Sequence, residues 1–302
     1  LGLLGLKYGL YSLMRGGGRI TSGPGGFFPD NNGLALALCM GIPLVVGIGL
    51  TESRPILQKL SLVLALFSAA AVVFTFSRGG LLALIVAIVI LVARSGKPIA
   101  VTVVVALSLA GLLVVTTEDF QQSYLERTST IIQYQQDASA MGRIQEWGTA
   151  VKVFADFPML GVGPDNLQLM RNFYVHDGSS FRTTHNSYLQ ILVACGLPGL
   201  ILFVGALAFS IWRLEKLRRN SHIPWARIYA SMLQCSLIAY SVGGMFGDGA
   251  YFDLTYHLIA MTVSLELAVE AENRKSEIRI QVDASASYEW WREAPVSGRP
   301  IS

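Results

Sequence analysis

The sequence predicts an all-α polytopic membrane protein: a bundle of about seven or eight transmembrane helices with one large extramembrane loop. Three observations carry this. Of the 302 residues, 52% are hydrophobic and 14% are charged, where a soluble domain carries about 25% charged residues. Uncharged apolar runs long enough to approach a hydrocarbon core of about 30 Å recur along the chain. Between two of them lies a single long polar stretch, the 68 residues from Thr117 to Thr184. The net charge of +3 is mild and gives no reason to expect a nucleic-acid partner. Cys39, Cys195 and Cys235 all lie in apolar runs without metal-ligand spacing, and no disulfide is predicted.

The elements follow in order. The opening LGLLGLKYGL has neither an initiator methionine nor a signal-peptide pattern, so the chain is expected to begin part-way through a longer protein. Leu1–Met14 is apolar but too short to span alone. Arg15–Asn32 is rich in turn and breaker residues: GGGR, SGPGG, PDNN. Spans are expected at Gly33–Leu50 and Leu60–Phe76, with Leu81–Ala93 continuing beyond an interruption at Ser77–Gly80, and another at Ile99–Val115. After the polar stretch, Asn186–Trp212 is apolar for 27 residues, enough to cross with tilt. Arg213–Arg227 reads as a basic loop, Ile228–Gly247 as a span and Leu254–Leu265 as the last helix. From Glu266 the tail turns polar and is expected to be partly disordered.

Lysine and arginine in the short loops set the orientation. Arg54, Lys59, Arg94, Lys97, Arg213, Lys216, Arg218, Arg219 and Arg227 fall on one side, which should be cytoplasmic; the other side's short loops hold only Arg15, Arg19 and Arg78. The chain then divides into N-terminal transmembrane helices at 1–116, a periplasmic cap at 117–184, C-terminal transmembrane helices at 185–269 and a cytoplasmic tail at 270–302. The cap holds eight Asp/Glu against five Lys/Arg. Within it, Ile144, Trp147, Val151 and Phe154 recur at helical spacing, with Arg143, Glu146 and Lys152 between them, so an amphipathic helix is expected at the membrane interface. Asp156–Pro158 and Gly161 should end it, and a second short helix should start near Pro164–Asp165. A connection this long is more often functional than filler. It is expected to be an ordered cap over a membrane-embedded site, with His185 as the reactive residue.

A few residues break the apolar pattern. Arg78 stands between two apolar runs. Snorkelling at a helix end explains it, and so does an anion clamp: the planar guanidinium suits phosphate oxygens, and Gly79–Gly80 would let a phosphate approach the backbone. Arg143 is either a solvated charge or a second clamp arm. His185 opens a long apolar run and suits a general base near neutral pH; it is equally placed to start a helix, with Asn186 or Ser187 as cap. His176 and His222 read as surface residues, His257 as a packed helix residue, and the four scattered histidines make no metal site. Asp248 and Asp253, in GDGAYFD, form an outer acidic turn, with orientation of His185 or of an acceptor as the functional alternative. Asp30 and Asn31 either cap the Gly33 helix or line the same cavity.

Taken together, SRGG at Ser77–Gly80, GRIQEW at Gly142–Trp147, DFPMLGVGPDN at Asp156–Asn166 and HNSYLQILVACGLPGL at His185–Leu200 resemble the O-antigen ligase family in content and order. GLKYGLYSLMRGGG and PGGFFPDNNGLALAL, within Gly5–Leu38, look like its subgroup of O-glycosylation ligases associated with exosortase systems. The resemblance implies a multi-pass glycosyltransferase of the GT-C type in the bacterial inner membrane. Such an enzyme moves a glycan from an undecaprenyl-pyrophosphate carrier to a glycan, lipid or protein acceptor at the periplasmic face, without metal or other cofactor. It further implies that His185 is the base on the acceptor hydroxyl, that Arg78 and Arg143 bind the pyrophosphate, and that Gly161–Gly163 shapes the loop. Direct attack at the anomeric carbon would invert its configuration. Family members usually have about twelve spans, more than are seen here. A polymerase shares the same motifs. A lipid-linked sugar transporter should instead carry ionisable residues near the midplane, whereas here they gather toward one face.

The orientation is testable by cysteine labelling at positions 139 and 221 in a background lacking the native cysteines. An impermeant reagent applied from outside should reach position 139 and not position 221.

Overall fold

The structure, a computed structural model, describes residues 1–24, 28, 30–94, 122, 138–175 and 183–293. The expected span Ile99–Val115, most of the first part of the expected cap and His176 lie outside the described residues. Nine helices and no strands occur among the described residues: α1 (Gly2–Met14), α2 (Asn31–Thr51), α3 (Pro55–Phe74), α4 (Arg78–Arg94), α5 (Ala138–Asp156), α6 (Leu167–Tyr174), α7 (Ser187–Asn220), α8 (Pro224–Gly243) and α9 (Asp253–Glu293). Two compact units divide within α9, Leu1–Thr262 and Val263–Ser302.

Local chemistry sets the boundaries. Asp30 caps α2, its Oδ1 accepting from Gly33 N at 2.7 Å. Pro55 and Pro224 open α3 and α8, where a missing N–H costs nothing. Ser77 Oγ accepts from Gly80 N at 3.0 Å at the start of α4. Asn186 caps α7 through bonds to the amides of Tyr188 and Leu189.

Among the described residues, four helices are long and apolar enough to cross a membrane: α2, α3, α7 and the Asp253–Gln281 portion of α9. The chain is a multi-pass, all-helical membrane protein. α4, at 17 residues, reaches only about 26 Å, short of the hydrocarbon thickness. α8 is a central helix, packed against α2, α4 and α7. Much of it faces protein, so it tolerates the buried polar residues Ser231, Gln234 and Ser236. α2 is buried from Leu34 to Pro43 and packs against α3, α4 and α8. Ile56, Leu62, Ile85, Val89, Ile201 and Leu202 point outward from the bundle, as lipid-facing residues do.

Several expectations are corrected. The basic stretch from Arg213 is not a loop: α7 continues to Asn220, leaving only Ser221–Ile223 as a turn. Glu215 holds that segment together through bonds from Arg218 at 2.7 and 2.9 Å, from Arg219 at 2.5 Å, and an ion pair to Arg94 at 3.6 Å. The polar tail is helical to Glu293, and Ala271–Gln281 is exposed throughout. α5 begins at Ala138, before Arg143, and the side chains it buries are Glu146, Thr149, Ala150 and Val153, while Ile144 and Val151 are exposed. Glu146 forms a buried ion pair with Arg171 of α6, at 2.9 Å. Gly79 and Gly80 offer no open backbone: an added Cβ would stand 2.5 Å from Phe246 Cβ and from Ala35 Cβ respectively. Their role is close packing.

α7 is broken. A straight 34-residue helix would measure about 51 Å, yet it pairs with α8, whose 20 residues span about 30 Å. Gly196, at φ 68° and ψ −169°, takes up the excess. Tyr188 and Phe203 consequently meet with ring centroids 6.0 Å apart, although fifteen residues of straight helix would separate them by about 22 Å. The break frees two carbonyls, because Pro198 has no N–H for Ala194 O and Leu197 N donates to Pro158 O at 2.8 Å instead of to Val193 O. Val162 N and Gly163 N replace them, donating to Val193 O and Ala194 O at 2.9 Å each. The Pro158–Gly163 turn is thereby fastened to the break.

Gly161 sits in that turn at φ 65°, with its Cβ position occupied by the backbone of Val193 and Ala194. Gly161→Ala is expected to lift the turn and strand both carbonyls. An orphaned buried backbone group costs about 1–3 kcal/mol, so the melting temperature of the purified protein in detergent should fall clearly.

Candidate functional site

One end of the bundle holds a cavity of about 270 Å³, lined by Arg19, Asp30, Asn31, Asn32, Phe76, Arg78, Arg143 and His185. Five of the residues singled out from the sequence meet there: Asp30, Asn31, Arg78, Arg143 and His185. They come from the start of α2, the start of α4, α5 and the residue pair preceding α7.

Each wall has a local reason. Asn31 Nδ2 donates to Thr75 O at 2.8 Å, and Ser77 Oγ donates to Asn32 Oδ1 at 2.8 Å, so the first turn of α2 is bonded to the α3–α4 turn. That turn places Phe76 at φ 56°, a region that bulky residues seldom enter. Arg78 is the first residue of α4. Two helix N-termini, those of α2 and α4, therefore contribute residues to one cavity and add their partial positive charge to its arginines. α5 is tied to the loop before α7 by Trp147 Nε1, which donates to Thr184 O at 2.6 Å. Arg143 lies one turn before Trp147, so this bond also fixes the distance between Arg143 and His185.

His185 has φ 45°, also left-handed. Its Nδ1 lies 2.9 Å from Asp248 Oδ2, and Thr183 Oγ1 donates to the same oxygen at 2.6 Å. With Nδ1–H donating to the carboxylate, Nε2 carries the lone pair. Burial raises the Asp248 carboxyl, but the hydrogen bonds from His185 and Thr183 outweigh it and hold the group below its ordinary range. Asp248 is delivered by the loop between α8 and α9, which Ser187 fastens: its N donates to Gly244 O at 2.7 Å, its Oγ donates to Gly247 O at 2.9 Å and accepts from Gly249 N at 2.9 Å. Tyr240 adds a bond from its hydroxyl to Gly249 O at 2.7 Å.

Asp253 does not join this group. It is exposed at the start of α9, where its carbonyl accepts from His257 Nδ1 at 2.7 Å. Asp30 serves both as helix cap and as cavity wall. Sequence reading passed over Arg19, Asn32 and Phe76 as site residues and over Ser187 as a positioning residue. The GGGR stretch was a usable signal for Arg19; the others depend on pairings visible only in three dimensions.

Chemically, the arrangement offers a positive recess for an anion beside a histidine whose second nitrogen is held by a carboxylate. Residues 63–204 match the family model described as O-antigen ligase. An O-antigen ligase of Pseudomonas aeruginosa is 30% identical over 168 residues, which is 55% of this chain and 38% of that protein. Both matches support membership of the O-antigen ligase family. The matched stretch spans well under half the length of that relative.

The Asp248 bonds give a pH dependence with a definite sign. A carboxyl depressed in the folded state stabilises fully above its unfolded value of about 3.9 and loses that contribution as pH falls through the lower folded value. The difference in melting temperature between wild type and Asp248→Asn should be present at about pH 5 and should close only below about pH 4. A difference that already closes near pH 6 would contradict the assignment.

Proposed function

We propose that this chain carries the catalytic site of a membrane glycan ligase that transfers an oligo- or polysaccharide from undecaprenyl pyrophosphate to an acceptor hydroxyl at the periplasmic face of the inner membrane. The observation that carries the reading is the shared cavity: Arg78, Arg143 and His185 line one recess. Its volume of about 270 Å³ suits a diphosphate and the reacting end of a sugar, while the polyprenyl chain and the remaining glycan extend beyond it.

In this mechanism the guanidinium groups of Arg78 and Arg143 hold the pyrophosphate by charge-assisted hydrogen bonds. The acceptor hydroxyl approaches Nε2 of His185. Its oxygen bonds to the anomeric carbon as the bond from that carbon to the pyrophosphate oxygen breaks. The proton passes to Nε2, and the electron pair leaves on the pyrophosphate, where the arginines and the two helix N-termini meet the developing charge. Asp248 stabilises the imidazolium and keeps its orientation. Attack opposite the leaving group inverts the anomeric centre. The arginines take the charge-neutralising role that a divalent ion fills in other phosphate chemistry, so transfer should persist in EDTA.

The test is transfer by purified protein from a lipid-linked glycan to a panel of acceptors. General-base help is typically worth about 10²–10⁴ in rate, so His185→Asn, which tolerates the left-handed backbone at this position, should lose at least about a hundredfold while inserting normally. Arg78→Lys, which keeps charge and loses the fork, should lose a large part of the activity, and Arg143→Ala likewise. Well-expressed, fully active His185→Asn protein would remove His185 from the mechanism. Product that stays on the lipid carrier and lengthens would identify a polymerase instead.

A further inference from the structure

Arg19 is the cavity residue that the ligase reading leaves without a task. It comes from the loop between α1 and α2, and that loop is pinned on both sides of it. Before Arg19, Gly17 N donates to Ser12 O at 2.9 Å, and Ser12 Oγ donates to Gly18 O. After it, Ile20 is buried at 5% exposure and its N donates to Phe74 O at 2.9 Å. The side chain itself is exposed to the recess, with its guanidinium carbon 5.9 Å from the ring centroid of Phe76. A cation over an aromatic face at that range is attracted and oriented by it. Phe76 holds its ring there at φ 56°, a conformation that is costly for a bulky residue.

The charges of the recess can be set against those of its proposed occupant. Arg19, Arg78 and Arg143 supply three positive charges. The single carboxylate among the lining residues, Asp30, is bonded to Gly33 N at the start of α2. A pyrophosphate esterified at both ends carries two negative charges. When the glycosidic C–O bond breaks and its electron pair stays with oxygen, the pyrophosphate becomes a monoester with a third negative charge. Asp30 offsets one of the three charges, and the recess, still positive on balance, attracts the leaving group more strongly than the bound donor.

We propose that Arg19, held over Phe76 in the same recess as Arg78 and Arg143, is a third arm of the pyrophosphate site, engaged most strongly as the leaving group takes up charge. This rests on the ligase reading above. It assigns the Gly-rich loop before α2 to the donor site and makes Phe76 the residue that orients Arg19.

Equilibrium binding to the purified full chain distinguishes this from its alternatives, with polyprenyl diphosphate and polyprenyl monophosphate as probes. Wild type should bind the diphosphate more tightly. Arg19→Gln should weaken diphosphate binding by about tenfold or more, the scale of one charge-assisted contact, and change monophosphate binding little. Arg78→Gln should weaken both. In transfer assays Arg19→Gln should lower kcat more than it raises KM for the donor, because its contact grows toward the transition state. Arg19→Lys, which keeps the charge, should fall between, and it carries the test if Arg19→Gln does not fold. Diphosphate binding by Arg19→Gln equal to wild type, with Arg78→Gln impaired, would overturn the role of Arg19 and leave the ligase reading standing. Failure of wild type to bind the diphosphate would overturn the donor assignment itself.

Discussion

One hydroxyl joins the two halves of the histidine–carboxylate pair. Ser187 Oγ sits at the start of α7 and is bonded to Gly247 and Gly249, so the loop that carries Asp248 cannot drift from the loop that carries His185. The two residues are far apart in sequence and arrive from opposite sides of a helix hairpin. Without that anchor, Asp248 would be an ordinary exposed turn residue, and nothing would fix which imidazole nitrogen carries the proton. Glycines around the anchor let the turn close: an added Cβ on Gly249 would stand 2.9 Å from Leu36 Cδ2.

A second set of bonds assembles the charged wall by the same logic. Asn31 and Asn32 bind the α3–α4 turn rather than solvent, which draws the first turns of α2 and α4 together. Helix starts are where a membrane bundle carries unpaired amides and positive potential. Joining two of them, with arginines beside them, gathers positive charge in one recess from elements that each have a structural duty as well. Trp147 extends the arrangement to α5 with one indole bond, so α5 is a wall of the recess.

Much of this was legible in the sequence, for an identifiable reason. The spans of α2, α3 and α7 and the caps at Asp30 and Asn186 follow from local composition, and they occur about where the residues place them. Arg78 and His185 were conspicuous because each interrupts or abuts an apolar run. Position relative to neighbours was less legible. Glu146 reads as a polar surface residue and is buried against Arg171, because burial depends on α6, a partner the spacing of α5 does not reveal. Gly79 and Gly80 read as room for a phosphate and are filled by Phe246 and Ala35. Arg19 was counted for its charge alone, since nothing in a glycine-rich stretch says which residue it will face. The basic segment after Trp212 reads as a loop because its charges are obvious and the ion pairs that keep it helical are not.

The break in α7 bears on where a defect in that helix can arise. Two of its carbonyls are satisfied by amides from Val162 and Gly163, which precede it in the chain and are therefore synthesised first. Without that turn, α7 would carry two unmet carbonyls in its first quarter. The docking turn supplies what α7 lacks. Stable packing of α7 is in this way conditional on the docking of the segment before it. A substitution in that turn would therefore appear as a defect in α7, even though every residue of that helix was intact.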